Sequence, residues 1–420
     1  MEFKSDLPLS EFQQFAAQHP LGRYMQTSAQ LAVTKNNKPV GCVGVYGDNG
    51  HLVAAAYYFV DHAKFGDVYS IKGGPLLDYS DSVVLDFFIQ SCTRFFRGQG
   101  GLAFRITPPL DAAVLDDEGH TKATMNNELI NHLGHLGFRH VAQEPIKDNK
   151  YPGVGLGFEF RKDLTNIHST DELRATYAKQ TRNDVKRAER LGVYVKRLDY
   201  NELGEFKKQT ALTADRRDFA DKPLTFYQHA YQAFGDDVQF LMAQLNLVDF
   251  IRRNKDEITA LSDEIAKIDD KLKVKQTKKL NRRRAEFEQQ IQSKQRNIQQ
   301  AQAEQQKYGD VITLSGGMFY TEPQEVAYMF SFNNKEFGNY HGQVLLQDYM
   351  LNQAVARKIP TYNFYMVTGN FDGTDGILKF KQSFGGQTYQ TIGWFEKPLS
   401  TVKYQINRWL KKLLGRSDVR

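Results

Sequence analysis

The sequence predicts an α/β chain in which a long helical hairpin interrupts the second of two αβ blocks. Of its 420 residues, 41% are hydrophobic and 12% aromatic, enough for two or three domains with cores. Strand-like and helix-like patterns alternate along most of the chain. In residues 247–308 that alternation gives way to apolar residues spaced three and four apart, which indicates paired helices.

The first block, residues 1–150, is predicted to form one domain. "LAVTKNNKPVGCVGVYGDNGHLVAAAYYFV" predicts two or three strands joined by Asn- and Gly-rich turns. "DSVVLDFFIQSCTRFFRG" has helical spacing, "GLAFRITPPL" is typical of a short buried strand closed by prolines, and "NNELINHLGHLGF" predicts another amphipathic helix.

The second block is predicted to comprise residues 151–246 and 309–400. "TDELRATYAKQTRNDVKRAERLG" predicts a helix pair that ends at Gly192, followed by the strand "VYVKRL". After the hairpin, "DVITLSGGMFYT", "EVAYMFSFNN" and "YNFYMV" are typical of strands, and "QVLLQDYMLNQAVARKI" of a helix. No sequence repeat relates the two blocks.

The insert is predicted to be an antiparallel coiled-coil arm. The first seam runs from Ile251 through Ile258 to Leu272, and a looser one from Leu280 to Ala301. At 1.5 Å per residue, a helix of roughly 25 residues extends about 40 Å from the body.

Surplus positive charge is confined to this arm. Residues 251–308 contain fifteen Lys or Arg and nine Asp or Glu, a balance of +6, and the rest of the chain balances to zero. "KLKVKQTKKLNRRR", residues 271–284, falls at the expected tip and has eight basic residues and no acidic one. The tip either contacts the phosphates of a polyanion or is the solvated end of a hairpin.

Several classes of protein are not supported by the sequence. There is no GxxxxGK[ST], HExxH, GxSxG or CxxC motif, and "RGQGGLA" leads from a helix into a strand, whereas a pyrophosphate loop opens a helix. No window resembles a membrane span, and the N-terminus lacks the apolar core of a secretory signal. Two cysteines, Cys42 and Cys92, fit a reducing cytoplasm.

"GILKFKQSFGG", residues 376–386, alternates apolar and basic residues and predicts a strand with Leu378 and Phe380 inward and Lys379 and Lys381 on the other face. A lysine fixed on a rigid element is suited to hold an oxyanion or a phosphate. An exposed strand with an edge lysine is the alternative.

Five motifs occur in the order found in a known family: "YSIKGGPLLDY", "TRNDVKRAERLGVYV", "TADRRDF", "GQVLLQDYMLNQAVARKIPTYNFYMVTGNF" and "GILKFKQSFGG". With the arm before the last two, the chain resembles the Fem (FemABX) family of peptidoglycan bridge-forming aminoacyl transferases over nearly its whole length. The resemblance implies two GNAT-like (acetyltransferase-like) αβ domains. It also implies transfer of an amino acid from aminoacyl-tRNA to the stem-peptide amine of a peptidoglycan precursor (lipid II or UDP-MurNAc-peptide), in the cytoplasm and without a metal or organic cofactor.

The resemblance also suggests which residues act. Lys381 would be the cation for the oxyanion, with Phe380 as its packing or stacking neighbour. Arg216 would hold the acceptor's phosphates, Lys35 is a second candidate for that duty, and Tyr365 would line the acceptor site. The tRNA-binding candidates at the tip are Lys278, Lys279, Arg282, Arg283 and Arg284.

One position departs from the family pattern. Thr107, in "FRITPPL", stands where many members have an aspartate considered as a base, and a threonine cannot accept the amine's proton at neutral pH. Asp111 lies four positions further on, behind two prolines, and cannot be assumed to substitute. No general base is therefore assigned.

The C-terminal segment, residues 401–420, predicts a basic amphipathic helix. Its apolar face would contain Val402, Ile406, Trp409, Leu410 and Leu413. Such a helix either contacts the inner face of the cytoplasmic membrane or packs against the αβ body.

Two other functions remain compatible with the sequence. A non-catalytic RNA-binding adaptor would use the basic hairpin alone, and the threonine at position 107 favours it. An acyl-CoA-dependent N-acyltransferase would need the pyrophosphate loop that the sequence lacks.

Overall fold

A computed structural model of the chain describes residues 1–35, 40–146, 157–217 and 221–413. The described strands, in chain order, are β1 (Glu2–Lys4), β2 (Val40–Tyr46), β3 (Leu52–Ala63), β4 (Gly66–Lys72), β5 (Leu76–Leu77), β6 (Gly101–Thr107), β7 (Asp111–Leu115), β8 (Thr121–Thr124), β9 (Arg139–Val141), β10 (Phe158–Asp163), β11 (Tyr194–Arg197), β12 (Val238–Asn246), β13 (Val311–Thr321), β14 (Glu325–Asn333), β15 (Thr361–Val367), β16 (Gln387–Thr391) and β17 (Trp394–Pro398).

The described α-helices are α1 (Leu9–Gln18), α2 (Ser28–Lys35), α3 (Ser82–Gly98), α4 (Asn127–His135), α5 (Thr170–Ala175), α6 (Lys179–Leu191), α7 (Leu203–Arg217), α8 (Leu224–Phe234), α9 (Leu247–Val274), α10 (Lys278–Tyr308), α11 (Gly342–Ala356), α12 (Gly376–Gln382) and α13 (Thr401–Leu413). Local chemistry sets several boundaries. The Asp81 carboxylate accepts from the Val83 and Val84 backbone N–H groups and starts α3, and Gly192, at φ 79°, ends α6 as predicted.

The strands form two mixed sheets. The first has the order β1-β2-β3-β4-β6-β17-β9, with β5 beside β3, and the second β11-β12-β13-β14-β15-β10-β16-β7-β8. Within each sheet one neighbouring pair is parallel, β4 with β6 and β14 with β15, and the other described pairs are antiparallel. The predicted α/β class is therefore confirmed.

The two sheets repeat one structural pattern that the sequence does not show. In each, four antiparallel strands are followed by a crossover helix (α3 or α11) and then by a strand parallel to the fourth. Side chains such as Phe88, Phe96 and Phe104 fill the first core, and Leu346, Leu351 and Tyr362 the second. Each such burial stabilises the fold by about 1.5–3 kcal/mol.

Each sheet with its helices forms one unit, and a reciprocal exchange of strands joins the first unit to the second. β10, which follows the first unit in sequence, inserts between β15 and β16, and β17 inserts between β6 and β9 of the first sheet. The β7–β8 hairpin, from within residues 1–150, also extends the second sheet. β17 and the β7–β8 hairpin therefore pair outside the block in which each was predicted, because strand pairing is decided by contacts that the local pattern does not encode.

The arm is an elongated connection between neighbouring strands β12 and β13. α9 has 28 residues and α10 has 31, and the Leu247 N–H donates to the Asp310 carbonyl (2.8 Å) where they leave the sheet. Arg284 reaches across the pair to Asp269 (2.7 Å). This confirms the predicted antiparallel hairpin.

Two local predictions were wrong. Residues 31–35, included in the predicted strands, end helix α2. Residues 376–382, predicted as a strand, form helix α12, because the Asp375 carboxylate accepts from the backbone N–H groups of Ile377 and Leu378 and so caps a helix.

Candidate functional site

The parallel pair of the second sheet opens into a split. β14 and β15 pair over only three positions, from Glu325 with Thr361 to Ala327 with Asn363, and then diverge. In the first sheet, β4 and β6 stay paired along residues 67–72 and 101–107. Because open sheets bind ligands beyond the carboxyl ends of parallel strands, this β14–β15 split is the candidate site.

A backbone bulge lies on the β15 side of the split. Tyr365 adopts φ 66°, a left-handed conformation that is unusual for an aromatic residue, and the register with β10 shifts between Glu159 and Arg161. The Asn363 carboxamide oxygen accepts from the Tyr365 N–H (2.8 Å) and holds this conformation. Strained residues of this kind concentrate at functional sites.

Helix α12 places the Lys381 amine against this bulge. Nζ donates to the carbonyls of Met366 (2.6 Å) and Tyr365 (3.3 Å), and the residue is 5% exposed. Burial lowers the pKa of Lys381 to about 7, although Asp375 and Glu159 oppose this effect. Because α12 is a helix, Leu378 and Lys381 both face inward, so the predicted separation of apolar and basic faces was wrong.

Phe380 is half-buried and packs on Phe384, with ring centroids 5.3 Å apart. It therefore belongs to the packing of α12 against the second core. Within the described part of the chain, its ring makes no cation–π contact with the Lys381 amine.

A buried polar network, which the sequence analysis missed, supports the bulge. Asn363 donates to Glu159 (3.0 Å) and to Glu325 (3.2 Å), and Arg161 donates to Glu159 (2.7 Å) and to both oxygens of Asp111 (2.7 and 3.0 Å). Alternating strand residues of both charges were the available signal, but their partners lie up to 204 positions apart.

The first unit contributes Arg23 to this network. Its guanidinium lies 3.9 Å from Glu159 and 3.8 Å from Glu325. Burial alone would raise the pKa of Glu159, but Arg161 and Arg23 lower it below its ordinary value. For Glu325 the effect of burial is larger than that of Arg23, so the pKa of Glu325 is raised.

Tyr24 also comes from the first unit and meets Tyr365. Their hydroxyls are hydrogen-bonded, and the Tyr24 ring stacks on Tyr320 with centroids 5.1 Å apart. Burial raises the pKa of both Tyr24 and Tyr365, so the pair is neutral. The Tyr365 ring is half-buried beside the split.

The two predicted phosphate-binding residues lie apart from this network. Arg216, near the end of α7, is exposed and donates to the Asn333 carbonyl (3.2 Å) at the carboxyl end of β14. It therefore borders the same end of the split. Lys35 is the last residue of α2, and its side chain lies outside the described part of the chain.

The position of the family's aspartate gives no base. Thr107 ends β6, and its carbonyl accepts from the Gly74 N–H (3.0 Å). Asp111 is engaged by Arg161 in a two-pronged ion pair. Because this guanidinium binds both of its carboxylate oxygens, Asp111 is still not assigned as the general base in place of the family's aspartate.

The five basic tip residues lie in the first turns of α10. Lys278, Lys279, Arg282 and Arg283 are exposed. Arg282 pairs with Glu286 (3.0 Å), and Arg284 lies between Asp269 (2.7 Å) and Glu288 (2.6 Å). Part of the tip's positive charge is therefore already compensated.

Among the described residues, a single group of possible metal ligands occurs, formed by Asp116, Glu118 and His120. It lies in the exposed β7–β8 turn, where the Asp116 carboxylate accepts from the backbone N–H groups of the other two. These hydrogen bonds account for its geometry, which is that of a polar turn.

Two units with one topology and a crossover helix in each place the chain in the class of two-domain GNAT-like folds, and its split parallel pair holds a buried lysine. Comparison with known proteins then places it more closely. The model of the FemAB family matches residues 7–412, and the chain belongs to this family.

Its relatives include the aminoacyltransferase FemA of Staphylococcus epidermidis, which is 27% identical over 417 residues, covering 98% of this chain and 97% of the relative. FemA of Staphylococcus aureus strain N315 is 25% identical over 419 residues, covering 98% and 99%. The crystal structure of FemX shares the fold, with a TM-score of 0.80 at 20% identity, over 99% of this chain and 100% of FemX.

Proposed function

We propose that this protein transfers an amino acid from aminoacyl-tRNA to the stem-peptide amine of a peptidoglycan precursor, building the interpeptide bridge. Family membership supports the transferase activity. The observation that carries the assignment of the site is the Lys381 amine, held against a strained bulge where β14 and β15 part.

In the proposed reaction, the acceptor amine attacks the ester carbonyl carbon of the aminoacyl-tRNA. A C–N bond forms, the carbonyl π electrons move to oxygen, and the bond to the ribose oxygen then breaks. The proton lost by the amine ends on that ribose oxygen, carried by the substrates or by water. Atoms and charge therefore balance without a metal or an organic cofactor.

Lys381 is proposed to stabilise the oxyanion of the intermediate. An ammonium has three N–H donors, and the Tyr365 and Met366 carbonyls accept two of them. The third is available for the developing negative charge, which a positioned donor in a water-poor site stabilises most strongly. Phe380 keeps α12 packed, and Tyr365 supplies the bulge.

Arg216 is proposed to bind the phosphates of the acceptor. Its guanidinium is exposed at the carboxyl end of β14 and uses one donor on a backbone carbonyl. Arginine suits phosphate because several of its donors can engage one group. Lys35 keeps its assignment as a second phosphate ligand on the sequence resemblance alone.

The arm tip is proposed to contact the tRNA. Lys278, Lys279 and Arg283 make no ion pair with other described residues, and they project from the free end of the arm. Replacing Lys278, Lys279 and Arg282 to Arg284 by glutamine should weaken tRNA binding and lower its salt dependence. Arg284 alone should matter least because two carboxylates already bind it. If the variant binds tRNA as tightly as wild type, the tip is only the solvated end of the hairpin.

The C-terminal helix is proposed to touch the membrane surface. Tyr404 packs on the body and hydrogen-bonds Glu396, whereas Val402, Ile406 and Trp409 are exposed, at 72%, 43% and 62%. An exposed apolar face with tryptophan and nearby basic residues suits a lipid headgroup layer. In the described part of the chain, no helix has the length and apolarity to cross a bilayer.

Co-sedimentation with phosphatidylglycerol vesicles tests this contact. The wild-type chain should sediment with the vesicles, and a variant with Ile406→Ser and Trp409→Ser should not. Equal sedimentation of both proteins would contradict the proposed surface.

The reaction itself is tested with charged tRNA and a lipid-linked or UDP-linked muropeptide. Transfer of the amino acid to the stem amine is the expected result, detected by mass spectrometry. Binding of tRNA without transfer would instead support the non-catalytic adaptor. Acyl-CoA consumption would support the N-acyltransferase, but "RGQGGLA" lies at the carboxyl end of α3, not at a helix N-terminus.

A further inference from the structure

Helix α6 carries four cations that face solvent. Lys179, Lys186, Arg187 and Arg190 are exposed, and none of them forms an ion pair with another residue in the described part of the chain. Four uncompensated charges on a thirteen-residue helix produce a local positive field. The arm tip, by comparison, has two of its arginines in ion pairs.

The acidic residues of α6 do not neutralise these cations, because other groups engage them. Glu189 accepts from Arg174 (2.6 Å). Asp184 accepts from Gln180 (2.8 Å) and lies 3.4 Å from the His341 ring.

Three of the four cations form a line. Lys179, Lys186 and Arg190 are spaced seven and four residues apart, which places them on one helix face over about 16 Å. Thr181, Val185 and Ala188 are buried on the other side of the helix, which packs on α11. We call Lys179, Lys186 and Arg190 the α6 stripe.

The stripe leads to a polar cavity at the root of the arm. Its volume is about 450 Å³, and it is lined by Gly192, Tyr194, Asn246, Asp249, Arg252 and Arg253. Tyr194 is 40% exposed and presents an aromatic face. We call this the root cavity.

Arg253 is fixed in the root cavity with donors to spare. It donates to the Leu191 carbonyl (2.8 Å) and to the Asp249 carbonyl (3.3 Å), which uses two of its five N–H groups. It packs so closely on Gly192 that a Cβ there would lie 1.9 Å from Nη2. Arg252 forms a surface pair with Asp249 (2.7 Å), a weak interaction that a phosphate can replace.

We propose that the α6 stripe and the root cavity form a second binding site for the sugar-phosphate backbone of RNA, distinct from the arm tip. A line of cations follows a backbone, and a guanidinium beside an exposed tyrosine suits one nucleotide of a single strand. None of the described residues of α6 is an exposed large apolar side chain, which a membrane contact would need. This inference rests on the proposed RNA-dependent function. It adds that the bound tRNA contacts the αβ body along α6.

The two RNA contacts would act together. The root lies about 40 Å from the tip along the arm. Contacts joined by a rigid element reinforce each other, because engaging one raises the effective concentration of RNA at the other. Because the stripe and the tip each present three cations without an ion pair among the described residues, the two contacts should contribute comparably to the salt dependence of binding.

The test measures binding of unacylated tRNA by fluorescence anisotropy between 50 and 200 mM KCl. The stripe variant is Lys179→Gln, Lys186→Gln, Arg190→Gln. The matched control, Lys64→Gln, Arg94→Gln, Lys122→Gln, removes the same charge from exposed positions elsewhere. The stripe variant should bind at least about tenfold more weakly, with the logarithmic salt slope reduced by roughly two, while the control stays close to wild type.

A second pair of variants probes the root cavity. Tyr194→Ala should weaken tRNA binding by about tenfold because stacking is lost, and Tyr194→Phe should not. Equal losses for the two would overturn the stacking role. All the substituted side chains are exposed, so each variant should fold like wild type. Thermal melting of each variant checks this.

The outcomes separate this inference from the proposed function. If the tip variant loses tRNA affinity and the stripe variant does not, the second site is wrong and the tRNA proposal stands. If wild type binds no tRNA, both fail. Equal losses in the stripe and control variants overturn the site in favour of net charge. If the stripe is needed for phosphatidylglycerol vesicles and not for tRNA, the surface is a lipid contact and the inference is wrong.

Discussion

Replacing Lys381 by methionine tests both the burial of its amine and its role. The ordinary pKa of a lysine is 10.5, and that of Lys381 is about 7. Each pKa unit is worth about 1.4 kcal/mol, so keeping the ammonium in the folded protein costs about 5 kcal/mol below pH 7. Between pH 7 and 10.5 the unfolded chain binds more protons than the folded one, so the free energy of unfolding rises with pH. This group adds about 2 kcal/mol between pH 7 and 9.

The methionine variant loses this pH dependence. It also leaves the Tyr365 and Met366 carbonyls without their donor, at about 1–3 kcal/mol each. The two effects roughly cancel at pH 7, so the variant should be about as stable as wild type there and about 2 kcal/mol less stable at pH 9. Turnover should fall by about 10² or more, as it does when an oxyanion donor is lost.

Urea unfolding at pH 7 and pH 9, followed by tryptophan fluorescence, measures the stability difference, and transfer from charged tRNA measures turnover. Lys379→Met, on the exposed side of the same helix, is the matched control and should change neither quantity. If wild type and the Lys381 variant show the same pH dependence, the amine is not buried as described. Turnover within a few-fold of wild type would remove its catalytic role.

The remaining predictions concern the surrounding groups. As Lys381 loses its proton near pH 7, kcat/KM should fall between pH 6 and 8, and a rising profile would contradict the ammonium role. Arg216→Ala should raise KM for the acceptor several-fold at unchanged tRNA affinity. An unaltered KM would show that Arg216 is only a solvated side chain and does not bind the acceptor's phosphates. Asp111→Asn should destabilise the fold by about 3 kcal/mol in urea unfolding, because the buried Arg161 loses a charged partner, and a negligible loss would show that solvent compensates this charge. Tyr24→Phe should lower the free energy of unfolding by about 1 kcal/mol and reduce kcat, since the bulge at Tyr365 loses a hydrogen bond; full activity would separate the tyrosine pair from catalysis.

Much of the architecture is encoded locally. The arm follows from a three- and four-residue spacing whose partners lie on the same or the adjacent helix, and α6 ends at Gly192 because glycine tolerates its left-handed conformation. The motif order pointed to the family before any contact was known. These are properties of neighbouring residues.

The α12 segment shows how a local pattern can mislead. "GILKFKQ" alternates like a strand, but Asp375 just before it caps a helix and buries Lys381 where the strand prediction exposed it. The position of the lysine in sequence was therefore useful, and its face and charge state were not deducible from the pattern.

The sequence by itself determined the class, the arm, the confinement of its surplus charge and the candidate lysine. Only the tertiary structure decided the strand exchange, the split between β14 and β15, and the network in which Asn363 joins Glu159 to Glu325. The physical reason is that burial and hydrogen-bond pairing of charged groups depend on segments far apart in the chain, whereas periodicity and capping depend on residues within a few positions of each other.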